Sequence, residues 1–468
     1  MMMPIKFGTD GWRAIIAKEF TADNVARAAQ GYATWLKEKY QNPSLVVGHD
    51  CRFAGPLFVD CVIQVMLQNG IKVFAAKGFV STPMVSLGCK TYQASGGVII
   101  TASHNPAEYS GFKLKSGHGG PLLEDDVKAV EKRIPNEVPV GYMEVDLTKA
   151  EQEEKLVFVD LEADYIKRVE EGFDLESIRN SKFNFAYDAM YGAGQNVMRS
   201  LFSDITLVHC DHNPLFDGIA PEPILKNLGE FSEIIKISED IDCGLVTDGD
   251  ADRIGLFNGK GDFVDSHHIL LLLTHYLFKY KGWTGKVATG FSTTVKLEKL
   301  CKIYNLDFQV VPIGFKHVCG IMLKEDVLVG GEESGGIAVK GHIPERDGIW
   351  NGMLIWEMMV KTGKSLDELI KEIYDLVGSF AFRREDLGLL ESKKQEIIAH
   401  CKAGKYSSFG GKKPIRMEDM DGWKYYFSDT EWLMIRPSGT EPVLRIYAEA
   451  STGQEAQHLL DLCKKEIL

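Results

Sequence analysis

Six short apolar runs, each ending in a glycine-rich or polar loop, restrict this chain more than any other feature. They are "SLVVGHDCR" from Ser44, "GVIITASHNP" from Gly97, "NFAYDAMYGAG" from Asn184, "GLVTDGDADR" from Gly244, "KVATGFSTT" from Lys286 and "VLVGGEESGG" from Val327. β-branched and apolar residues bounded by Gly, Pro or polar residues read as buried strands. Helical patterns such as "TADNVARAAQGYATWLKEKY" from Thr21 separate many of them, so strand and helix alternate as in α/β layers. The six runs fall in pairs, which predicts three similar α/β units in tandem rather than one long sheet. At 468 residues, and with about 150 residues to a domain, three or four domains are expected.

After "SLDELIKEIYDLVG" the pattern changes to "KYYFSDTEWLMIRPSGTEPVLRIYAEA", strand-rich with aromatics and alternation, which predicts a fourth, antiparallel α+β domain. The expected boundaries are 1–150, 151–256, 257–370 and 371–468. The charged segment "TKAEQEEK", Thr148 to Lys155, reads either as a linker between the first two units or as a solvated helix face.

Acidic residues outnumber basic ones, 66 to 53, for a formal charge of -13. Such a surface repels nucleic acid and anionic lipid, and a small phosphorylated substrate needs a locally basic cleft. The nine cysteines form no C-x-x-C pair, which argues against a disulfide framework or zinc site and for a reducing compartment. Met1 to Asp10 lacks a signal-peptide core, and the longest apolar patch, Ile269 to Leu273, is too short to span a bilayer. A cytoplasmic protein with neither a nucleic-acid nor a membrane partner is expected. Nothing in the sequence fixes its oligomeric state.

Four loops carry chemistry. In "TASHNP", Ser103 follows a buried strand and is either a turn residue or a nucleophile. "DGDADR" sets Asp248, Asp250 and Asp252 at alternate positions directly after an apolar strand, where they repel one another unless a cation holds them. The only neighbouring cation in the sequence is Arg253. A calcium loop needs Gly at its sixth place and Glu at its twelfth, and those places are Arg253 and Gly259. Three single oxygens with open positions suit Mg²⁺ instead.

"RPSGTEP" offers Arg436, the hydroxyls of Ser438 and Thr440, and Gly439 for close backbone approach, a set that fits phosphate, although a surface turn has the same composition. "GGEESGG" offers Glu332 and Ser334 to sugar hydroxyls, or is simply an acidic turn. "TGKS" at Thr362 is no phosphate loop, because the required upstream glycine is Met358; it reads as one helix ending and another starting.

Taken in order, "FGTDGWR", "TASHNP", "DGDADR", "GEESGG" and "RPSGTEP" resemble the α-D-phosphohexomutase family from Phe7 to Pro442. The resemblance implies three α/β domains and a C-terminal domain resembling the TATA-binding-protein fold around one cleft. It implies that Ser103 carries a phosphoryl group, that Asp248, Asp250 and Asp252 bind Mg²⁺ beside it, and that Glu332 and Ser334 hold sugar hydroxyls. Arg436, Ser438, Gly439 and Thr440 then bind the phosphate that is not transferred. "IGFKH" and "GHIPERDGIW" are more similar to phosphoglucomutases than to phosphoglucosamine or dual-specificity phosphomannomutase members, and point to Lys316 and Arg346 as sugar-selecting residues. Dual-specificity members often end the sugar loop with His, where this chain has Gly336.

The implied reaction interconverts a hexose 1-phosphate and 6-phosphate, glucose preferred, through a hexose 1,6-bisphosphate, with glucose 1,6-bisphosphate as activator. The alternatives are a mannose or glucosamine substrate, a phosphatase using the same serine, or a non-catalytic phosphosugar-binding protein. Of the basic residues near Ser103, Lys113 is expected to have its pKa lowered by a nearby cation and so to take the hydroxyl proton. Arg13 is expected to remain a fixed charge, Arg253 to contact substrate and His104 to order the loop.

Overall fold

A computed structural model of the chain describes residues 4–437 and 443–468. All six apolar runs are strands, and they form the centres of three mixed sheets. In the first sheet Trp12–Ile15, Tyr109–Ser116, Gly96–Ile100, Ser44–His49, Lys72–Phe79 and Leu156–Val159 lie side by side in that order. The first two junctions are antiparallel and the other three parallel. The second sheet runs Phe263–Val264, Ile254–Asn258, Cys243–Thr247, Phe185–Asp188, Thr206–Val208, and the third Phe308–Val311, Lys286–Gly290, Val327–Gly331, Ile337–Val339.

The three sheets share one device. In each, a buried central strand turns back antiparallel on its neighbour: Gly96–Ile100 on Tyr109–Ser116, Cys243–Thr247 on Ile254–Asn258, and Val327–Gly331 on Ile337–Val339. The three connecting loops hold Ser103, the three aspartates and Glu332, so each loop occupies the same topological place in its own unit. Strand carboxyl ends are where ligand loops collect in α/β sheets.

Residues 381–388, 443–450, 432–437, 423–426 and 416–418 build a separate, wholly antiparallel sheet. Two helices, Glu391–Lys402 and Gly453–Ile467, accompany it, and Ile397, Phe409, Leu433, Ile446 and Leu460 form a core of its own. This is the α+β arrangement expected of a domain resembling the TATA-binding protein. The largest core, by contrast, is continuous through the first three units, taking in Val46, Tyr187, Leu245, Leu270 and Leu328.

Two boundaries differ from a simple cut between runs. Leu156–Val159 lies beyond residue 150 and still pairs with Lys72–Phe79 of the first sheet, and "TKAEQEEK" is mostly the helix Leu147–Gln152 leading into it. The helix Gly348–Thr362 follows the third sheet in sequence and touches its edge strand Ile337–Val339, but also packs on Cys243–Thr247 and Ile254–Asn258 of the second. Its Gly352 lies so close that a Cβ there would stand 2.3 Å from Leu245 Cδ2. That helix ends at Thr362, Gly363 closes it in the left-handed region, and Ser365 caps the next helix with Glu368 completing a capping box. "TGKS" is therefore a helix end and a helix start. All nine cysteines are free and buried. Among the described residues no helix is long and apolar enough to cross a membrane.

Candidate active site

Ser103 has φ of 52°, a left-handed conformation uncommon for serine, held by its surroundings. Its N–H donates to Thr101 Oγ1 at 2.8 Å, Thr101 Oγ1 donates to Asp50 at 2.5 Å, and Arg52 Nη2 donates to the Ser103 carbonyl at 2.7 Å. Asp50 and Arg52 are buried and paired at 3.2 Å, so the strand end Ser44–His49 carries a rigid brace for the serine loop. The Ser103 hydroxyl is thereby aimed at the second unit, donating to Asp248 Oδ2 at 2.7 Å. His104 Nδ1 lies 3.3 Å from the same hydroxyl and 3.5 Å from Arg13 Nη1, and Arg13 also donates to Asn105 Oδ1 at 2.8 Å.

Asp248, Asp250 and Asp252 are all buried, with one oxygen from each within 4.8 Å of the others. Asp248 Oδ1 accepts the backbone N–H groups of Asp252 and Arg253 at 2.9 and 3.0 Å, which folds the loop on itself. Thr82, at the start of a helix in the first unit, donates both its hydroxyl and its N–H to Asp250. Asp250 Oδ1 and Asp252 Oδ1 are buried and lack a hydrogen-bond partner. Buried carboxylate oxygens without donors are costly, so a hard, oxygen-seeking cation fits this donor set. Burial and then the two neighbouring aspartates push Asp248 well above the usual carboxylate range.

The cations around this loop differ from the expectation based on neighbours in sequence. Arg253 Nε is 3.9 Å from Asp248, but the close partners come from far along the chain. Lys113 Nζ lies 2.7 Å from Asp250, 3.0 Å from Asp252 and 2.9 Å from Asp10. Arg346 Nη2 lies 2.6 Å from both Asp10 and Asp252. Lys113 is therefore corrected in one respect: burial alone would lower it, but Asp10, Asp250 and Asp252 together outweigh burial and raise its pKa above the ordinary lysine value. Three carboxylates around one lysine favour its charged form. Arg346 is likewise raised, its burial outweighed by Asp10 and Asp252.

Beside this buried network lies a cleft of about 520 Å³ to which all four units contribute. Arg13 and His104 enter from the first unit, Arg253 from the second, Lys316, Glu332, Ser334 and Arg346 from the third, and Arg436 from the fourth. Lys316 is paired with Glu124 at 3.0 Å. Burial raises the Glu332 carboxyl, and the N–H of Gly314 donates to it at 2.7 Å. Arg384, Arg445 and Tyr447 line the fourth unit's side. Despite the acidic whole, the cleft is locally basic. Ser438, Gly439 and Thr440 lie outside the described residues.

Sequence reasoning passed over Asp10, Thr82, Asp50 with Arg52, and Arg384. Asp10 had a signal, its place in "FGTDGWR", where Gly11 at φ 94° lets the chain pass within 2.9 Å (measured to a Cβ) of the Phe112 carbonyl. Asp50 and Arg52 lie in the polar end of "SLVVGHDCR", a strand end with nothing in its composition to single them out, and Thr82 and Arg384 are single polar residues in unremarked segments.

Such a cleft, with a braced serine against an acidic triad and cations drawn from four units, defines an enzyme built to hold a phosphorylated small molecule. Comparison with known proteins makes the class specific. Models of the phosphoglucomutase/phosphomannomutase α/β/α domains I, II and III match residues 4–139, 163–261 and 265–377, and that of the C-terminal domain matches 392–464. The chain is 30% identical over 463 residues to a phosphoglucomutase/phosphomannomutase of Thermococcus kodakarensis, covering 97% of each. It is 27% identical to a phosphoglucosamine/phosphogalactosamine mutase of Sulfurisphaera tokodaii, covering 98% of each. The crystal structure of a candidate phosphomannomutase from Thermus thermophilus superposes with a TM-score of 0.87 at 32% identity over the whole of both chains. The chain belongs to the phosphoglucomutase/phosphomannomutase family, the α-D-phosphohexomutases. Phosphohexomutase activity, an isomerisation, is what family and site together support.

Proposed function

We propose that the chain moves a phosphoryl group between Ser103 and the 1- and 6-hydroxyls of a hexose, with glucose 1-phosphate the preferred substrate. The observation that carries this reading is the Ser103 hydroxyl held 2.7 Å from Asp248, next to a basic cleft of about 520 Å³. That volume suits a hexose bisphosphate. Phosphorylated Ser103 gives its group to the free 6-hydroxyl of a hexose 1-phosphate; the resulting 1,6-bisphosphate turns around and returns its 1-phosphate to the serine. Glucose 1,6-bisphosphate accordingly serves as activator.

Asp248, Asp250 and Asp252 would hold Mg²⁺, which when bound supplies positive charge to the transferred group. The chain's own residues do the positioning. Lys113 and Arg346 stand beside the aspartates, and Arg13 stands over His104 and Asn105 as a fixed positive group. A loose transition state has little bond to the incoming oxygen, so its proton leaves late and a strong base is not demanded. Asp10, Asp250 and Asp252 favour the charged form of Lys113, and Mg²⁺ on the two loop aspartates would weaken that preference, so Lys113 is the group placed to take the hydroxyl proton.

Arg436 takes the phosphate that stays on the sugar, together with Ser438, Gly439 and Thr440. The fourth unit has a core of its own and meets the third at a smaller apolar seam, Phe291 against Tyr426, Trp432, Met434 and Tyr447, so it can shift as a body along that seam, which one phosphate site needs if it is to accept either end of the sugar. Glu332 and Ser334 reach the 3- and 4-hydroxyls, which glucose and mannose share. Discrimination at carbon 2 then falls to Lys316, whose partner is the half-exposed Glu124, more than to Arg346, which is buried between Asp10 and Asp252. Gly336 supports the glucose assignment through the likeness to phosphoglucomutases, which also have glycine there, and a Cβ at that place would meet Arg346 Cδ at 2.4 Å.

The test is kcat/KM for glucose, mannose and glucosamine 1-phosphates under saturating Mg²⁺ and activator. A glucose preference of about ten- to a hundredfold is expected. Equal values or a mannose preference would overturn the sugar assignment, and net phosphate release without isomerisation would overturn the mutase reading. The Sulfurisphaera relative's name favours glucosamine as the second reading.

A further inference from the structure

Arg436 is already occupied by a carboxylate of its own unit. The strands Arg416–Glu418 and Trp423–Tyr426 are joined by a tight turn through Asp421 and Gly422. Gly422 has φ of 105°, and a Cβ there would stand 2.7 Å from the Ile435 carbonyl and 3.1 Å from Arg436 Cβ. Only glycine lets the turn lie this close to the arginine's strand. The result is a two-pronged pairing: Arg436 Nε donates to Asp421 Oδ1 at 3.2 Å and Nη2 to Oδ2 at 3.4 Å. A guanidinium grips phosphate with the same fork.

Asp421 also reaches out of its unit. Its Oδ2 accepts the N–H of Ile313 at 2.9 Å, on the loop of the third unit that leads into Lys316. The next N–H along that loop, Gly314, donates to Glu332 at 2.7 Å. Consecutive amides of one loop therefore hold a carboxylate from the fourth unit and a carboxylate of the sugar loop. The Asp421 side chain is 27% exposed and that of Arg436 14%, so an anion arriving from the cleft can compete for the fork.

We propose that Asp421 is a positioning residue that stands in for phosphate on Arg436, and through the Ile313 amide ties the fourth unit to the loop that carries Glu332. The inference rests on the reading of Arg436 as a phosphate-binding residue. In the free enzyme the carboxylate keeps the guanidinium oriented towards the cleft and partly shields it from inorganic phosphate. A doubly charged sugar phosphate displaces it, and Asp421 is then left with the Ile313 amide alone. Because the fork has a second anion to return to, it lets go more readily of the bisphosphate's phosphate group when the sugar turns around between the two half-reactions.

The test is calorimetric binding of inorganic phosphate to the full chain, which does not depend on turnover. Asp421→Asn keeps an acceptor for the Ile313 amide and removes the competing charge, so phosphate should bind about two- to fivefold more tightly, the range an exposed ion pair supports. Asp419→Asn removes the same charge from an exposed neighbour two residues away and should leave the affinity unchanged. Asp421→Ser, too short to reach Arg436, should repeat the gain. Unchanged or weaker phosphate binding in the Asp421 variants, or an equal gain in Asp419→Asn, would overturn the proposal. A wild-type chain that binds phosphate but isomerises no hexose phosphate would instead count against the proposed function alone.

Discussion

Replacing Gly336 with alanine asks whether the sugar loop and Arg346 are packed as one piece. The added Cβ would lie 2.4 Å from Arg346 Cδ and 3.1 Å from its Cγ, whereas carbon atoms pack at about 3.5–4 Å. Arg346 must retreat by roughly an ångström or break away. Breaking away costs more: the side chain is 5% exposed, and its Nη2 is the cation 2.6 Å from both Asp10 and Asp252. Removing one partner of a buried ion pair costs about 3–5 kcal/mol, while overpacking a filled interior costs about 1–3 kcal/mol. The strained arrangement wins. Gly336→Ala should thus lose about 1–3 kcal/mol in equilibrium urea unfolding, and kcat/KM should fall at least about tenfold because the aspartate network is displaced with Arg346. Adding Arg346→Ala should cost less in the Gly336→Ala background than in the wild type, the mark of two groups in contact. An unchanged unfolding midpoint and an unchanged kcat/KM in Gly336→Ala would refute the reasoning.

Ser103→Ala should abolish nearly all mutase activity while shifting thermal unfolding little, since a loop hydroxyl adds little to the core; appreciable turnover would remove the nucleophile assignment. Asp250→Asn should weaken Mg²⁺ activation and lower kcat more than it raises KM, and a rate indifferent to excess chelator would show that no metal acts there. The pH dependence of stability should reveal Glu449, which burial raises to about 7 while Lys424, also buried, is lowered to about 8. A carboxyl raised above its unfolded value of about 4.3 contributes stability in full below that value and loses it as pH rises to about 7. Between pH 5 and pH 7.5 the wild type should therefore lose stability relative to Glu449→Gln; parallel curves would refute this.

The chemistry of the site was legible because each reactive loop follows an apolar strand, and a strand end is recognisable from a few residues. The three-unit plan was legible for the same reason, down to the helix break at Thr362–Ser365. The partners were not. Lys113 shows no carboxylate beside it in sequence, so a lowered pKa was the natural expectation, yet its counter-ions Asp250 and Asp252 come from another unit. Arg384 and Asp421 sit in strand and turn segments where a charged residue ordinarily faces water. Leu156–Val159 joins the first sheet by parallel pairing at its edge, a choice made by packing after the helix Leu147–Gln152 and not by anything in its four residues.

The helix Gly348–Thr362 has a bearing on how the chain is made. Its place is on the second sheet, whose strand Ile254–Asn258 leaves the ribosome about 90 residues earlier, roughly 5–20 s at ordinary rates of synthesis. During that interval Leu245 and its neighbours lack the surface that will cover them, and the growing chain presents an apolar sheet face to whatever binds such faces. The acidic loop waits equally long for Arg346. A cut between residues 261 and 265, where the second and third family models abut, would thus part a sheet from its own cover instead of freeing two self-sufficient domains.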